Sequence, residues 1–292
     1  MNNPTALRSG KGHTDENFPV ASRLISPRHR GPILAFYEFV RTADDIADHT
    51  SLTEAEKLAL LDRLEAGLLG EDHGDRVATG LRIVLRERGL SPRHTQDLLT
   101  AFRLDATKRR YSDWDDLMHY CAYSAMPVGR YVLDVHGESR GTWPASDALC
   151  AALQVINHLQ DCGKDYRELD RVYVPQDALE TAGTSVEALG AERASPALLR
   201  CIRSLAERTS GLMREASALS PAVEDVRLSL EISVIHTLAH RLMEMLQTRD
   251  PLSERVHLGK AAVAGLGFVA VTTGMVRRLG RSLLAPRKPQ DA

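Results

Sequence analysis

Apolar residues recur along this chain at steps of three and four, which is the period of one face of an α-helix. Leu58, Leu61, Leu64 and Leu68 form one such series, and a second runs through residues 77–85. No sustained alternation of apolar and polar residues, the pattern of a half-buried strand, interrupts these series. The pattern therefore predicts an all-α fold.

Local signals mark where the helices begin and end. Thr53 with Glu56 has the spacing of a capping box, and Gly70 and Gly89 are typical helix stops. These signals bracket helices that contain the two apolar series. Further helices are predicted at residues 29–48, 93–107, 113–136, 147–167, 196–218, 222–248 and 255–280.

Composition indicates one domain with an aliphatic core. The 292 residues contain no evident linker, and hydrophobic residues make up 43% of them with only 5% aromatics. We therefore expect a single helical domain over residues 1–292, with disordered tails at residues 1–13 and 285–292 where polar and proline-containing ends bury little surface.

Charge and targeting features narrow the partners and the compartment. The formal charge of -2 lacks the basic excess that binding to a phosphate backbone uses, so nucleic acid is not expected as a partner. The N-terminus has no apolar run of a secretory signal, and the four cysteines form no CxxC pair, which predicts a cytoplasmic protein without disulfides. The uncharged stretch at residues 261–276 is shorter than the ~20 residues of a membrane span and is predicted to be a buried core helix.

The first motif whose residues could bind a ligand or take part in a reaction lies near residue 45. Asp44 and Asp48 are four residues apart and share one helical face, which is continuous with the apolar side of the predicted helix. Two carboxylates one turn apart repel each other, so a cation between them is the natural compensation. An ordinary acidic helix end remains the alternative for this motif alone.

The second motif lies on the helix predicted at 147–167. Gln154, Asn157, Asp161 and Asp165 follow steps of three, four and four among Leu, Ile, Val and Ala residues, so they form a polar stripe on an apolar helix. Burying four such groups without partners would cost several kcal/mol, which favours metal coordination or hydrogen bonding. An amphipathic helix with this stripe in solvent is the alternative.

Oxygen ligands without His or Cys suit Mg²⁺, which substrate phosphates often complete. Two such motifs on facing helices would hold a diphosphate between metal ions. A third element, residues 120–129, places Pro127 and Gly129 inside a predicted helix. The proline is expected to kink the helix and the glycine to allow close packing, either for structure alone or to shape a cavity.

In combination, these segments resemble the squalene and phytoene synthase family. The spacing of Tyr37, Arg41, Asp44, Asp45 and Asp48 is similar to the family's first aspartate motif. Residues 120–129 resemble its central tyrosine segment, and residues 154–175 its second motif with the closing Arg-Val-Tyr-Val-Pro. The resemblance implies an isoprenoid synthase helical bundle with a central apolar cavity, and a Mg²⁺-dependent enzyme that acts on isoprenoid diphosphates.

The resemblance also implies roles for individual residues. The expected metal ligands are Asp44, Asp48, Asn157, Asp161 and Asp165. The expected contacts to substrate diphosphate are Ser22, Arg41, Gln160 and Arg171, although a turn serine is the alternative for Ser22. The expected lining of the reaction cavity, with a catalytic role, is Tyr37, Tyr120, Gln154 and Tyr173.

One departure from the family pattern refines the expected reaction. Gln160 stands where squalene and phytoene synthases typically have arginine, and an amide does not replace a guanidinium at phosphate. With the opening residues 16–22, this resembles the hydroxysqualene synthase branch of bacterial hopanoid pathways, which implies presqualene diphosphate as substrate. A squalene or presqualene diphosphate synthase, and a non-catalytic isoprenoid carrier, remain alternatives.

Because both substrate and product would be lipids, peripheral contact with the inner face of the membrane is expected. Association with other enzymes of the hopanoid pathway is part of the same expectation.

Overall fold

The computed structural model describes residue 22, residues 24–71 and residues 75–284, with side chains placed up to Val276. β-Structure in this part of the chain is limited to one isolated parallel bridge between Arg110 and Val172. Its helices are α1 (Pro27–Ala47), α2 (Glu54–Leu69), α3 (Arg76–Arg88), α4 (Arg93–Thr107), α5 (Trp114–Ser124), α6 (Met126–His136), α7 (Trp143–Leu169), α8 (Gln176–Thr181), α9 (Pro196–Ala216), α10 (Leu219–Ala222), α11 (Val226–Thr248) and α12 (Lys260–Leu284). The all-α prediction is confirmed, whereas the predicted tails lie outside the described residues.

The predicted helix signals act as expected around α2. The Glu56 carboxylate accepts a hydrogen bond from the Thr53 backbone N–H at 2.8 Å, and the Thr53 hydroxyl accepts one from the Glu56 N–H, which completes the capping box. Gly70 ends the helix with φ of 96°, a left-handed conformation that glycine adopts without strain.

The helix predicted over residues 113–136 is divided into α5 and α6. Ala125, with φ of -127° and ψ of -47°, separates them, and Pro127 lies in the first turn of α6. Proline has no backbone N–H to donate to the carbonyl four residues earlier, and here the helix ends at Ser124 and begins again at Met126. The predicted kink is therefore a complete break, which turns α6 against α7.

Gly129 allows α6 to approach α7 closely. A Cβ atom at this position would lie 2.6 Å from the Cys150 Sγ and still closer to the Ser146 Oγ, both on α7. We expect Gly129→Ala to lower the free energy of unfolding by about 1–3 kcal/mol, because the Ser146 and Cys150 side chains or the two helices must shift to admit the methyl group. Urea denaturation of the full chain measures this.

Gly31→Ala is the matched control, because Gly31 lies exposed on α1 with open space around it. Alanine there is expected to stabilise the helix by about 0.5–1 kcal/mol. If Gly129→Ala were as stable as the wild type, the close contact between α6 and α7 would be wrong.

Helix α7 lies at the centre of the bundle. It packs against α5, α6, α9 and α11, while α1 packs against α2, α3, α4 and α6. The apolar residues of α7, among them Leu149, Val155, Ile156 and Leu159, are buried in one continuous core. A cavity remains between α1 and α7, walled by α4 and α5.

The prediction that residues 261–276 form a buried core helix is wrong. These residues belong to α12, which packs on α11, and Ala270 alone among them is buried. The side chain of Phe268 is 72% exposed and that of Val276 68%. Within the described part of the chain, no helix is long and apolar enough to cross a membrane.

Candidate active site

Helix α1 carries the first acidic row into the cavity. Asp44 and Asp48 line it together with Arg41, one turn before Asp44. The Arg41 guanidinium donates to the Asp44 carboxylate at 2.8 Å and to that of Asp45 at 2.8 Å. This ion pairing holds the Arg41 guanidinium beside the carboxylates at the cavity wall.

Helix α7 carries the second row from the opposite wall. Steps of three and four along the helix bring its polar side chains to one face, as the sequence predicted. The two rows meet across a cavity of about 470 Å³. Eleven of the thirteen predicted site residues line this cavity: Tyr37, Arg41, Asp44, Asp48, Tyr120, Gln154, Asn157, Asp161, Asp165, Arg171 and Tyr173.

The segment after α7 supplies Arg171 and Tyr173. Asp170 ends the helix in a left-handed conformation, with φ of 51°, and the Arg171 N–H then donates to the Asp165 carbonyl at 3.1 Å. The Val172 N–H donates to the Arg109 carbonyl at 2.9 Å, which ties the segment to the residues after α4. Because of this reversal, the chain after α7 turns back toward the cavity instead of leading away from it.

Arg171 is a buried cation that joins the second motif to the first. Its guanidinium donates to the Asp48 carboxylate at 2.6 Å and to the Ala47 carbonyl at 2.7 Å. The Lys57 ammonium donates to the same carbonyl at 2.8 Å. Two cations thus meet the C-terminal end of α1, where the helix dipole is negative.

We expect Arg171→Met to lower the free energy of unfolding by about 2–3 kcal/mol, because two charge-assisted hydrogen bonds are lost and the acidic cavity loses a buried counter-charge. Chemical denaturation at neutral pH measures the change. Arg193→Met, at an exposed position outside the cavity, is the control and is expected to leave stability unchanged. Equal stability of the two variants would contradict a structural role for Arg171.

Asp105 on α4 is a site residue that sequence reasoning missed. Its carboxylate is buried and accepts hydrogen bonds from the Tyr120 hydroxyl at 2.9 Å and the Tyr173 hydroxyl at 2.6 Å. Burial raises the pKa of Asp105, and Arg171 and the two hydroxyl groups act against that rise. The carboxylate fixes both tyrosine rings at the cavity wall, although nothing in its local sequence indicates this.

His158 on α7 was also missed. Its ring stacks on Tyr173 with 3.6 Å between centroids, and its Nε2 lies 3.0 Å from the Gln154 side-chain nitrogen. Burial lowers the pKa of His158 to about 3, so the imidazole is uncharged at neutral pH. The signal was present in the sequence, because His158 follows Gln154 by four residues and therefore shares its face.

Among the described residues that line the acidic cavity, the carboxylates outnumber the cations. Burial raises the pKa of Asp44 to about 8, and the neighbouring Asp48 adds to the rise. Burial together with Asp161 and Asp48 raises the pKa of Asp165 to about 7. Such carboxylates favour either protons or a bound cation, and a set made only of oxygen donors fits Mg²⁺.

A second, apolar cavity of about 250 Å³ adjoins the acidic one. Tyr37, Val40 and Leu153 line both, so the two spaces lie side by side and share a wall. Aliphatic and aromatic side chains from α1, α6, α7 and α11 form most of its wall. A ligand with an anionic head and a long hydrocarbon chain matches this pair of cavities.

Two predicted contacts to substrate do not line the acidic cavity. The Ser22 hydroxyl donates to the Glu231 carboxylate at 2.6 Å, and Glu231 lines the apolar cavity instead. Gln160 is buried and its amide donates to the Val256 carbonyl. One residue before Asp161 on a helix is a rotation of about 100°, which directs Gln160 away from the acidic row.

Outside the acidic cavity, the described residues His29, His136 and Asp225 have ligand atoms of metal-binding type within 4.8 Å of one another. Arg28 donates to the His29 Nε2 at 2.8 Å. A permanent cation on this ring nitrogen disfavours a divalent metal there.

Comparison with known proteins agrees with this arrangement. Residues 11–262 match the family model for squalene/phytoene synthase. The chain belongs to this family. It is 60% identical over 278 residues to the hydroxysqualene synthase of Rhodopseudomonas palustris and 55% identical over 278 residues to that of Sinorhizobium fredii, with 95% of each chain covered in both cases.

Solved structures of the squalene/phytoene synthase family share the fold. The squalene synthase HpnC from Alicyclobacillus acidocaldarius superposes with a TM-score of 0.71 at 29% identity, over 84% of this chain and 91% of that one. A dehydrosqualene synthase superposes with a TM-score of 0.79 at 20% identity, over 94% and 96% of the two chains. The isoprenoid synthase helical fold implied by the sequence is thereby confirmed.

Proposed function

We propose that the chain is a hydroxysqualene synthase, which converts presqualene diphosphate and water into hydroxysqualene and diphosphate. The observation that carries this proposal is the pair of acidic rows on α1 and α7, which face one cavity that adjoins an apolar one. The relatives of that name, 60% and 55% identical, support the choice of substrate within the family.

The proposed cofactor is Mg²⁺, held by Asp44, Asp48, Asn157, Asp161 and Asp165. When bound, the metal would neutralise the charge that develops on the departing diphosphate. Arg41 and Arg171 stand beside these ligands and supply further positive charge to the same group. This concentration of charge confines the diphosphate to the acidic end of the cavity.

The remaining residues act on the hydrocarbon. The bond between the cyclopropylcarbinyl carbon and the diphosphate oxygen breaks, and the electron pair leaves with the diphosphate. The aromatic rings of Tyr37, Tyr120 and Tyr173 line the cavity, where each stabilises a carbocation by about 1–2 kcal/mol. The uncharged His158 adds no repelling charge beside it. A water oxygen then forms the new bond to carbon and releases a proton.

Apolar walls limit the water that reaches the cation. Val40, Val128 and Leu153 line the acidic cavity where it meets the apolar one. Exclusion of bulk water favours one alcohol over a mixture of products.

The second candidate is a squalene or presqualene diphosphate synthase that condenses farnesyl diphosphate. It is favoured by the likeness to the squalene synthase HpnC, at the lower identity of 29%. A carrier that binds isoprenoids without turnover is the candidate of another class, and it would bind lipid without metal and release no pyrophosphate.

Product analysis distinguishes these candidates. The purified chain is incubated with presqualene diphosphate or with farnesyl diphosphate, each with and without NADPH, and the products are identified by mass spectrometry. We expect hydroxysqualene from presqualene diphosphate without NADPH. Presqualene diphosphate or squalene formed from farnesyl diphosphate would favour the second candidate, and no product from either substrate would favour the carrier.

The proposed setting is the cytoplasmic face of the membrane, where lipid substrate and product partition. Association with other enzymes of hopanoid synthesis belongs to the same proposal. A bacterial cell fraction enriched in inner membrane, probed for the chain after a mild salt wash, tests the location.

A further inference from the structure

Helix α12 exposes an apolar face that no described residue covers. Its other face packs on α11, where Ala270 contacts the buried Val234 and Leu238. On the outer face, Phe268 is 72% exposed, Val276 68%, Val269 57% and Met275 50%. Half of the eight exposed large hydrophobic side chains in the described part of the chain thus lie within nine residues.

Thr272, a polar residue on this outer face, forms its hydroxyl hydrogen bonds within the helix. The Thr272 hydroxyl donates back to the helix carbonyls of Phe268 and Val269, at 3.0 and 2.9 Å, so its hydrogen is already used. Residues 261–276 contain no charged side chain. A surface helix normally presents charged residues to solvent, so this face is built for an apolar or interfacial environment.

Positive charge is concentrated in the same segment of the sequence. Residues 255–290 contain seven of the 37 Lys and Arg residues and none of the 39 Asp and Glu residues, so the rest of the chain has a formal charge of -9. The cations flank the apolar stretch, with Lys260 before it and Arg277, Arg278 and Arg281 after it. An apolar helix face flanked by cations is typical of a helix that lies in an anionic lipid surface.

The same helix borders a groove that shares one wall residue with the apolar cavity. A groove of about 680 Å³ lies between α11 and α12, lined by Leu266, Val269 and Ala270 of α12. Ile232 of α11 lines both this groove and the apolar cavity. The exposed face of α12 and the hydrocarbon end of the cavity are therefore separated by little more than one helix.

We propose that α12 docks the enzyme onto an anionic membrane surface, with Phe268 and Val276 inserted among the lipids and the groove between α11 and α12 opening toward the acyl chains. This assignment rests on the proposed function only for its purpose, which is delivery of lipid substrate and release of lipid product. The docking itself depends on the exposed apolar residues and the flanking cations, and it is measurable without turnover.

Vesicle cosedimentation of the full chain tests the docking. We expect binding to vesicles of phosphatidylcholine with phosphatidylglycerol, much weaker binding to phosphatidylcholine alone, and weakening at high salt. The double variant Phe268→Ser/Val276→Ser is expected to lower partitioning at least ~10-fold, because two large apolar side chains no longer enter the lipid. Circular dichroism confirms that the variant is folded.

The control is Leu69→Ser/Ile83→Ser, which removes exposed apolar side chains from α2 and α3 and is expected to bind like the wild type. Equal partitioning of the two double variants, or no binding to anionic vesicles, would overturn the proposal. The proposal would also be overturned if the wild type sedimented as a dimer and the α12 double variant as a monomer. A second copy of the chain would then cover the exposed face of α12.

Activity in detergent separates this proposal from the proposed function. The α12 double variant is expected to form hydroxysqualene at the wild-type rate in detergent and more slowly on vesicles. If the wild type failed to bind vesicles but still formed hydroxysqualene, the docking proposal would fail and the proposed function would stand. Vesicle binding by a chain that makes no hydroxysqualene would overturn the function and leave the docking surface in place.

Discussion

Removal of divalent cations with EDTA is expected to lower pyrophosphate release at least ~1000-fold, with recovery on addition of excess Mg²⁺. The reason lies in the carboxylates of the cavity. Burial raises the pKa of Asp44 to about 8 and that of Asp165 to about 7, so without a cation these groups take up protons, and the cation that would bind the diphosphate is missing. A coupled assay for pyrophosphate measures the loss.

Thermal unfolding provides a readout independent of turnover. Mg²⁺ with pyrophosphate, each at about 100 times its dissociation constant, is expected to raise the melting temperature by roughly 5 °C or more. Pyrophosphate with EDTA is the control and is expected to give a much smaller shift. Unchanged turnover in EDTA, or equal melting temperatures with and without metal, would count against the proposed site.

Asp161→Asn is expected to reduce turnover at least ~100-fold, the scale of losing one electrostatic stabiliser of a transition state. The amide has almost the size of the carboxylate, so the change removes charge and leaves packing intact. Asp161 faces the α1 row across the cavity and also contributes to the raised pKa of Asp165. Steady-state kinetics with presqualene diphosphate measures the effect.

Glu168→Gln is the matched control for this variant. Glu168 lies on the same helix, exposed and outside the cavity, and the same exchange of carboxylate for amide is expected to leave turnover unchanged. The smaller thermal shift expected of Asp161→Asn with Mg²⁺ and pyrophosphate would connect the kinetic loss to metal binding. Turnover of Asp161→Asn near that of the wild type would remove the basis of the assignment.

The predicted stripe on α7 illustrates what local spacing determines. Gln154, Asn157, Asp161 and Asp165 lie on one face because the helix repeats every 3.6 residues, whatever surrounds it. The same period excludes Gln160 from that face, and the structure places its amide at the Val256 carbonyl. A contact between Gln160 and substrate therefore stays a prediction, made from its position in the family motif and not from the helical face on which it lies.

Other parts of the site depend on contacts that spacing does not encode. Asp105 reaches Tyr120 and Tyr173 only because α4, α5 and the segment after α7 converge. Arg171 meets Asp48, 123 residues away in sequence, for the same reason. Long-range contacts of this kind depend on how helices pack, which a single sequence pattern does not report.

The misplaced α12 shows the same limit for burial. Hydrophobicity of residues 261–276 correctly indicated a helix, but it did not determine whether other parts of the protein would cover that helix. The cover depends on which neighbours the bundle supplies, and here α11 covers one face only.

The sequence by itself determined the all-α class, most helix boundaries, the two acidic rows and a distortion at Pro127, predicted as a kink, because helical period, capping and proline geometry are local properties. Only the tertiary structure decided that the rows face one cavity, that Asp105 anchors two tyrosines, and that α12 is exposed. These features arise from the packing of distant helices, where burial and long-range ion pairs outweigh local preference.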